Sequence, residues 1–368
     1  MVLWYVLPIL VWIPLGIYLF HLIRRFLTLL PIRENSRLFK VIPLVFTVFI
    51  VFKGWRVYGL WAMLTMHFIV ACAVMEAIWA VSKKYLKENR IKKVLLFLYR
   101  SCLSGFLVVI FVCSYGYLNI QKVQAARYEL KTEKELSKPL KIVQISDLHT
   151  GTTMSMEQLK EHCARIQREN PDLIALTGDI FDENTTREQM ESVAEILGKI
   201  KTTYGIFYVF GNHDYNSYVE MPHYTPEELK KELKAQNIHV LEDQVYQVNS
   251  EICVAGRKDA QVKRKGIRDV VGDTPKDSFL LLLDHQPEDL KENKKAGVDL
   301  QLSGHTHAGQ IWPTGQMGAL LGITELNYGY QRDGEYQVVV SSGIGGWGYP
   351  IRTGGHSEYV VITLDSAM

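Results

Sequence analysis

The first 120 residues contain apolar runs that are too long for the core of a small soluble domain. Residues 2–23, 57–81 and 94–118 each reach or exceed the length of about 20 residues that crosses the hydrocarbon part of a bilayer. The run 38–52 is shorter. We therefore predict an all-α transmembrane region of about four helices within residues 1–120.

Positive charges between the runs predict the orientation of these helices. Four Lys and Arg residues separate the first two runs and a fifth, Lys40, lies near the start of the second run. Two separate the middle pair, and six separate the last two. Cytoplasmic loops are enriched in such residues. If both basic loops are cytoplasmic, the run 38–52 must cross, and the chain after residue 120 lies outside the cytoplasm. A basic segment after residue 120 opposes this orientation, with Lys122, Arg127, Lys131 and Lys134.

Charge is divided unevenly between the two halves of the chain. Residues 1–120 carry a net charge of +11, and the remainder carries −9. An acidic soluble half argues against a nucleic-acid partner.

Two charged residues lie inside the apolar runs. Glu76 and Arg100 are at similar distances from the 82–93 loop. They either form a buried ion pair, or Arg100 extends to the membrane interface while Glu76 faces other helices or is neutral.

From residue 141 the pattern changes to short β-rich runs that alternate with amphipathic helical stretches. This alternation predicts an α/β domain over 141–368. Residues 121–140 are predicted to be a polar linker between the membrane region and this domain.

Five predicted strands end in residues that can bind metals or transfer protons. Ligands of open α/β sheets bind at the carboxyl ends of the strands, so we expect these side chains to meet. In chain order they are Asp147 and His149, then Asp179, then Asn212, His213 and Asp214, then His285, then His305 and His307.

Imidazole and carboxylate groups favour a site for two divalent first-row metal ions. Two ions about 3.5–4 Å apart can hold a phosphoryl group and activate a bridging water. His305 and His307 are two residues apart, so in an extended stretch both can face the ions, each binding a different one. Gly304 and Gly309 allow the backbone to approach closely.

Five motifs resemble those of the calcineurin-like metallophosphoesterase family, in the family's order, and the chain is most similar to its bacterial membrane-attached members. They cover about 140–365 and read ISDLHTG (145–151), LTGDIFD (176–182), FGNHD (210–214), LLDHQP (282–287) and SGHTHAGQ (303–310).

The resemblance implies a four-layer αββα sandwich and a role for each motif residue. It assigns one metal ion to Asp147, His149, Asp179 and His307, and the other to Asp179, Asn212, His285 and His305, with Asp179 bridging. It makes His213 the proton donor to the leaving oxygen, oriented by Asp214. Arg352 is either a phosphate contact or part of a surface salt bridge.

The resemblance also implies a reaction class. We expect a membrane-anchored phosphodiesterase or pyrophosphohydrolase in which a bridging hydroxide attacks phosphorus in line with the leaving oxygen. The ligand types admit Mn, Fe, Zn, Co or Ni. A membrane-bound phosphoprotein phosphatase, a non-catalytic receptor that kept the fold, and a channel whose polar half is regulatory are the alternatives.

A further hypothesis concerns the substrate. Residues 311–330 directly follow His307 and are rich in apolar and aromatic side chains. They either pack on their own domain or contact the lipid part of a lipid-linked phosphoester.

The orientation can be tested with a reporter that is active only outside the cytoplasm. Fused after Met368 it is expected to be active, and inserted in the 82–93 loop it is expected to be inactive. The reverse pattern would mean that the basic segment after residue 120 outweighs the two basic loops, and it would place the active site in the cytoplasm.

Overall fold

The computed structural model describes residues 2–56 and 59–367. The chain divides into two compact units, Met1–Tyr115 and Gly116–Met368.

The first unit is helical. Three segments are long and apolar enough to cross a membrane, namely Pro8–Leu27, Leu60–Tyr85 and Leu103–Ile120. The predicted span over 38–52 corresponds to a helix of 17 residues, at the lower limit for a crossing. The helices are α1 (Val2–Leu27), α2 (Arg37–Lys53), α3 (Leu60–Tyr85), α4 (Arg90–Ser101) and α5 (Leu103–Ile120), which continues into the second unit.

Two expectations for this unit are corrected. The run 94–118 is not one helix, because Cys102 has a left-handed backbone (φ 55°) that separates α4 from α5. The ion pair between Glu76 and Arg100 is wrong, whereas Glu76 does face another helix, as the alternative expected. The Glu76 carboxylate lies 2.8 Å from the Arg25 guanidinium of α1 and accepts a hydrogen bond from the Tyr18 hydroxyl. The ion pair lowers the cost of a carboxylate within an apolar helix. Val57 and Tyr58, at the start of the predicted span 57–81, lie outside the described residues.

The second unit contains two six-stranded sheets. Their strand orders are β1-β12-β2-β3-β4-β5 and β10-β11-β9-β8-β7-β6. The strands are β1 (Val123–Thr132), β2 (Leu140–Ile145), β3 (Leu173–Leu176), β4 (Ile206–Tyr208), β5 (Ile238–Val240), β6 (Gln244–Gln247), β7 (Ile252–Gly256), β8 (Phe279–Leu283), β9 (Leu300–Ser303), β10 (Gly329–Asp333), β11 (Tyr336–Val340) and β12 (Ser357–Ser366).

Helices cover the outer faces of both sheets, giving the expected αββα order. Buried side chains of both sheets, such as Ile142, Phe207 and Leu281, form one core between them. A second core joins the first sheet to α6 (Met156–Arg168), α7 (Arg187–Gly198) and α8 (Pro226–Ala235). A third joins the other sheet to α9 (Ile267–Val271) and α10 (Leu290–Lys295). The helix α11 (Thr314–Leu320) follows the SGHTHAGQ motif (303–310).

The prediction of a linker over 121–140 is wrong for half of its length. Residues Val123–Thr132 form β1, which pairs in parallel with β12 over its whole length. Leu130 is buried in the core between the sheets. The charges that made this segment look like a linker alternate with apolar residues, as expected for an edge strand with one solvated face.

The role of β1 predicts the effect of a single substitution. Leu130→Ala should destabilise the second unit by about 2–5 kcal/mol, because it removes a buried side chain from a packed core. The exposed neighbour provides the control, since Glu129→Ala should change stability by less than about 0.5 kcal/mol. Thermal unfolding of the full chain in detergent measures both, and equal midpoints would contradict the assignment of β1 to the core.

Candidate metal centre

Five loops at the carboxyl ends of β2, β3, β4, β8 and β9 carry the predicted site residues. β2, β3 and β4 are parallel neighbours in the first sheet, and β8 and β9 are parallel neighbours in the second. The loops of both sheets therefore supply side chains to the same region.

The first group of possible metal ligands consists of Asp147, His149 and His307. The two Nε2 atoms of His149 and His307 lie 3.2 Å apart, and His307 Nε2 lies 3.5 Å from Asp147 Oδ1. All three residues are buried. Ligand atoms bound to a common ion at 2.0–2.1 Å are separated by about 2.9–3.4 Å, so the spacing fits a divalent ion.

The second group consists of Asp179, His285 and His305. His285 Nε2 lies 3.2 Å from Asp179 Oδ2 and 3.3 Å from His305 Nδ1. His305 and His307, two residues apart in sequence, thus belong to different groups.

Asp179 connects the two groups. Its Oδ2 atom lies 3.2 Å from His285 Nε2 in the second group and 3.8 Å from His149 Nε2 in the first. Its Oδ1 atom accepts a hydrogen bond from the His213 backbone N–H at 2.9 Å. A carboxylate in this position can contact two ions at once.

The protonation states of two of the histidines favour metal binding. Burial, followed by the charge of His285, lowers the pKa of His305 to about 3. Burial and His149 lower the pKa of His307 well below its usual value. Both rings are then neutral at pH 7, which is the form that binds metals. Burial opposes ionisation of Asp179, but the nearby His285 and His149 hold the pKa of this carboxyl below its usual range.

Hydrogen bonds around the groups also orient their ligand atoms. His285 Nδ1 lies 2.8 Å from the carbonyl oxygen of Thr177, so this nitrogen carries the proton and Nε2 is free to bind an ion. His149 Nδ1 faces Asp182 Oδ2 at 3.6 Å. The buried Oδ1 atom of Asn212 has no hydrogen-bond partner within the described parts of the chain, as expected for a ligand atom.

The backbone of the site is strained. Five of the six grouped residues have left-handed φ angles between 44° and 70°, a region that non-glycine residues rarely adopt. Such strain is concentrated at functional sites. These residues are Asp147, His149, Asp179, His305 and His307. Gly304 is required here, because a Cβ at this position would lie 2.2 Å from Asp147 Oδ2.

His213 lies beside the first group and has a carboxylate partner that the sequence analysis missed. Its Nδ1 atom lies 2.9 Å from Glu183 Oε1, and its ring centroid lies 5.2 Å from that of His149. Burial lowers the pKa of His213, but the hydrogen bond to Glu183 and the charge of Asp179 outweigh this and raise the pKa above its usual value. Glu183 directly follows the LTGDIFD motif, and only its place in the folded loop reveals the contact.

The expected role of Asp214 is corrected. Its carboxylate does not orient the His213 ring but accepts hydrogen bonds from the backbone N–H groups of Asp179, Gly211 and Phe181, at 2.7, 2.7 and 2.9 Å. Asp214 therefore fixes the loop after β3 against the loop after β4.

Both expectations for Arg352 are also corrected. The side chain is fully buried, and its two NH groups donate to the carbonyl oxygens of His307 and Gly345, at 3.0 and 2.6 Å. It is neither a surface salt bridge nor positioned as a phosphate contact. Burial lowers its pKa to about 10, so it remains charged at pH 7 and holds the backbone of the His307 loop.

The sequence profile of the calcineurin-like phosphoesterase family matches residues 140–309. An uncharacterized metallophosphoesterase of Aquifex aeolicus is 29% identical over 266 residues, which cover 70% of this chain and 97% of that protein. The uncharacterized metallophosphoesterase YkuE of Bacillus subtilis is 30% identical, over 61% of this chain and 79% of that protein.

A relative with a membrane region is also similar. A Danio rerio transmembrane protein with a metallophosphoesterase domain is 28% identical over 290 residues, which cover 73% of this chain. The chain spans 64% of the length of that protein.

The two ligand groups at the ends of paired α/β sheets define a metal-dependent phosphoesterase. The chain belongs to the calcineurin-like phosphoesterase family.

Proposed function

We propose that the chain is a membrane-anchored phosphoesterase that uses two divalent metal ions to cleave phosphodiesters or pyrophosphates. The observation that carries the proposal is Asp179, whose carboxylate lies between two histidine-containing groups. The apolar segments of the first unit support the anchoring.

The assignment of ligands follows the two groups. Asp147, His149 and His307 would hold one ion, His285 and His305 would hold the other with Asn212, and Asp179 would serve both. When bound, the ions supply positive charge to the phosphoryl oxygens and lower the pKa of a water molecule.

His213 is the proposed proton donor to the leaving oxygen. Glu183 accepts the hydrogen bond from Nδ1–H, which leaves Nε2–H to face the substrate. Because the Glu183 carboxylate is held against the ring, it positions the imidazole and stabilises its protonated form. Removal of either side chain should leave the metal ligands in place.

We also propose that the second unit lies outside the cytoplasm. This proposal rests on the two basic loops of the first unit and requires α2 to cross the membrane, although it has only 17 residues.

A phosphoprotein phosphatase is the second candidate function, and an assay of phosphopeptides against lipid phosphodiesters distinguishes the two.

The proposed chemistry predicts three different outcomes for three variants. The full chain in detergent should hydrolyse an aryl phosphodiester only with an added divalent metal, and a chelator should abolish this activity. His213→Ala should lower turnover by about 10²–10⁴-fold with unchanged metal content. Glu183→Gln should cause a smaller fall, also with both ions bound, whereas Asp179→Asn should lose both ions.

Metal analysis and steady-state kinetics of the same preparations measure these outcomes. Loss of metal from the His213 variant but not from the Asp179 variant would contradict the assigned roles. Full metal content without hydrolysis of any phosphoester would favour the non-catalytic receptor.

A further inference from the structure

Five large apolar side chains form an exposed surface on and around α11, which we call the α11 surface. Leu320 is 86% exposed and Ile323 is 71% exposed. The complete set is Trp312, Met317, Leu320, Leu321 and Ile323. Other residues of the segment 311–330 do pack on the domain, since Ile311 is buried and Leu326 packs against the third core. The five exposed side chains therefore form the part of the segment that is left open to another partner, and exposed apolar surface of this kind marks sites of interaction.

The α11 surface is also nearly free of charge. Between Ser303 and Tyr330 the only charged residue is Glu325, although the second half of the chain is acidic overall. The Glu325 carboxylate accepts a hydrogen bond from the Asp289 backbone N–H. An uncharged apolar surface with an exposed tryptophan fits the boundary between lipid headgroups and acyl chains.

α11 is fastened directly to the metal centre. It begins four residues after Gln310, and the Thr314 hydroxyl donates to the carbonyl oxygen of Gly309 in the His307 loop. The backbones of the His307 loop and of α11 are so close that a Cβ on Gly309 would lie 2.1 Å from the nitrogen of Gly315. The position of α11 is therefore linked to that of the ligand His307.

The same region is bonded to the last turn of the apolar helix α5. Within the second unit, the Asn119 side-chain amide donates to the carbonyl oxygens of Arg352 and Gly355, at 3.1 and 2.9 Å. The Arg352 backbone N–H donates to the Gly116 carbonyl oxygen at 3.0 Å.

One further step reaches the α11 surface. The Thr353 hydroxyl accepts a hydrogen bond from the Trp312 backbone N–H at 3.0 Å, and the Thr353 N–H donates to Gln310 at 2.9 Å. The segment 351–355 thus joins the end of a membrane-spanning helix to the start of the α11 surface. Tyr117 and Leu118 in the last turn of α5 are exposed as well.

We propose that the α11 surface inserts into the interface of the membrane that α5 leaves, and that the metal centre takes the phosphoester of a lipid from this interface. The structure favours the bilayer as the partner of the α11 surface. Hydrogen bonds through the segment 351–355 connect this surface to the end of α5, which is apolar enough to span a membrane. The proposal of a lipid substrate rests on the proposed phosphoesterase activity. The proposal that the α11 surface inserts into the membrane does not depend on that activity.

Insertion can be measured with the full chain in lipid nanodiscs. An environment-sensitive dye attached to Leu320→Cys should be quenched by lipids that carry a nitroxide on the acyl chain. The same dye on Lys160→Cys, an exposed position of α6, should not be quenched. The unsubstituted chain treated with the dye gives the background from its own five cysteines.

Equal quenching at the two positions would overturn the insertion. The insertion would also be overturned if the dye at position 320 were shielded from solvent in a way that depends on protein concentration and not on nitroxide lipids. This result would show that a second copy of the chain covers the surface.

The substrate part is tested by the ratio of two rates. Leu320→Asp with Leu321→Asp should lower the rate on a long-chain lipid phosphodiester in nanodiscs relative to the rate on a soluble aryl phosphodiester, by about tenfold or more. Ala164→Asp, at an exposed position of α6, should leave this ratio unchanged. An unchanged ratio in the double variant would contradict the lipid substrate. Absence of hydrolysis of the aryl phosphodiester by the unsubstituted chain would instead contradict the proposed function.

Discussion

The carboxylate of Asp179 constrains every other part of the metal centre. One oxygen faces His285 and His149, which come from loops of different sheets, and the other accepts the backbone N–H of His213. A buried charge of this kind is strongly unfavourable without partners. The two sheets and three loops must therefore meet at this side chain, and divalent ions bound there would add positive charge beside it.

Buried polar side chains behind the ligands keep these loops in place. Asp214 holds three backbone N–H groups, and Arg352 holds the carbonyl oxygens of His307 and Gly345. Gln310 donates from its side-chain amide to the carbonyl oxygens of Trp347, Tyr349 and Ile351. A buried backbone group that loses its partner costs about 1–3 kcal/mol. These contacts offset part of the strain in the left-handed ligand residues. They also explain why Asp214 and Arg352 lie behind the ligands and hold the backbone, although their sequence motifs suggested a role in the reaction.

The sequence predicted the features that depend on local pattern. Alternating strands and helices indicated an α/β domain, and the resemblance to the family implied its αββα layers. The metal-binding residue types after β2, β3, β8 and β9 indicated where side chains would meet. The sequence did not predict features that depend on pairing between distant parts of the chain. The edge strand β1 looks like a linker until its partner β12, more than 200 residues later, is known. The Glu183 contact to His213 and the Arg25 contact to Glu76 depend on how loops and helices pack, which no spacing rule conveys. The break at Cys102 depends on a single left-handed residue.

The most direct test of the shared carboxylate is anomalous scattering from crystals of the full chain grown with Mn²⁺. We expect two peaks about 3.5–4 Å apart. One should lie among the ligand atoms of Asp147, His149 and His307, the other among those of His285 and His305, and Asp179 should contact both. A single peak, or two peaks of which only one contacts Asp179, would contradict the account.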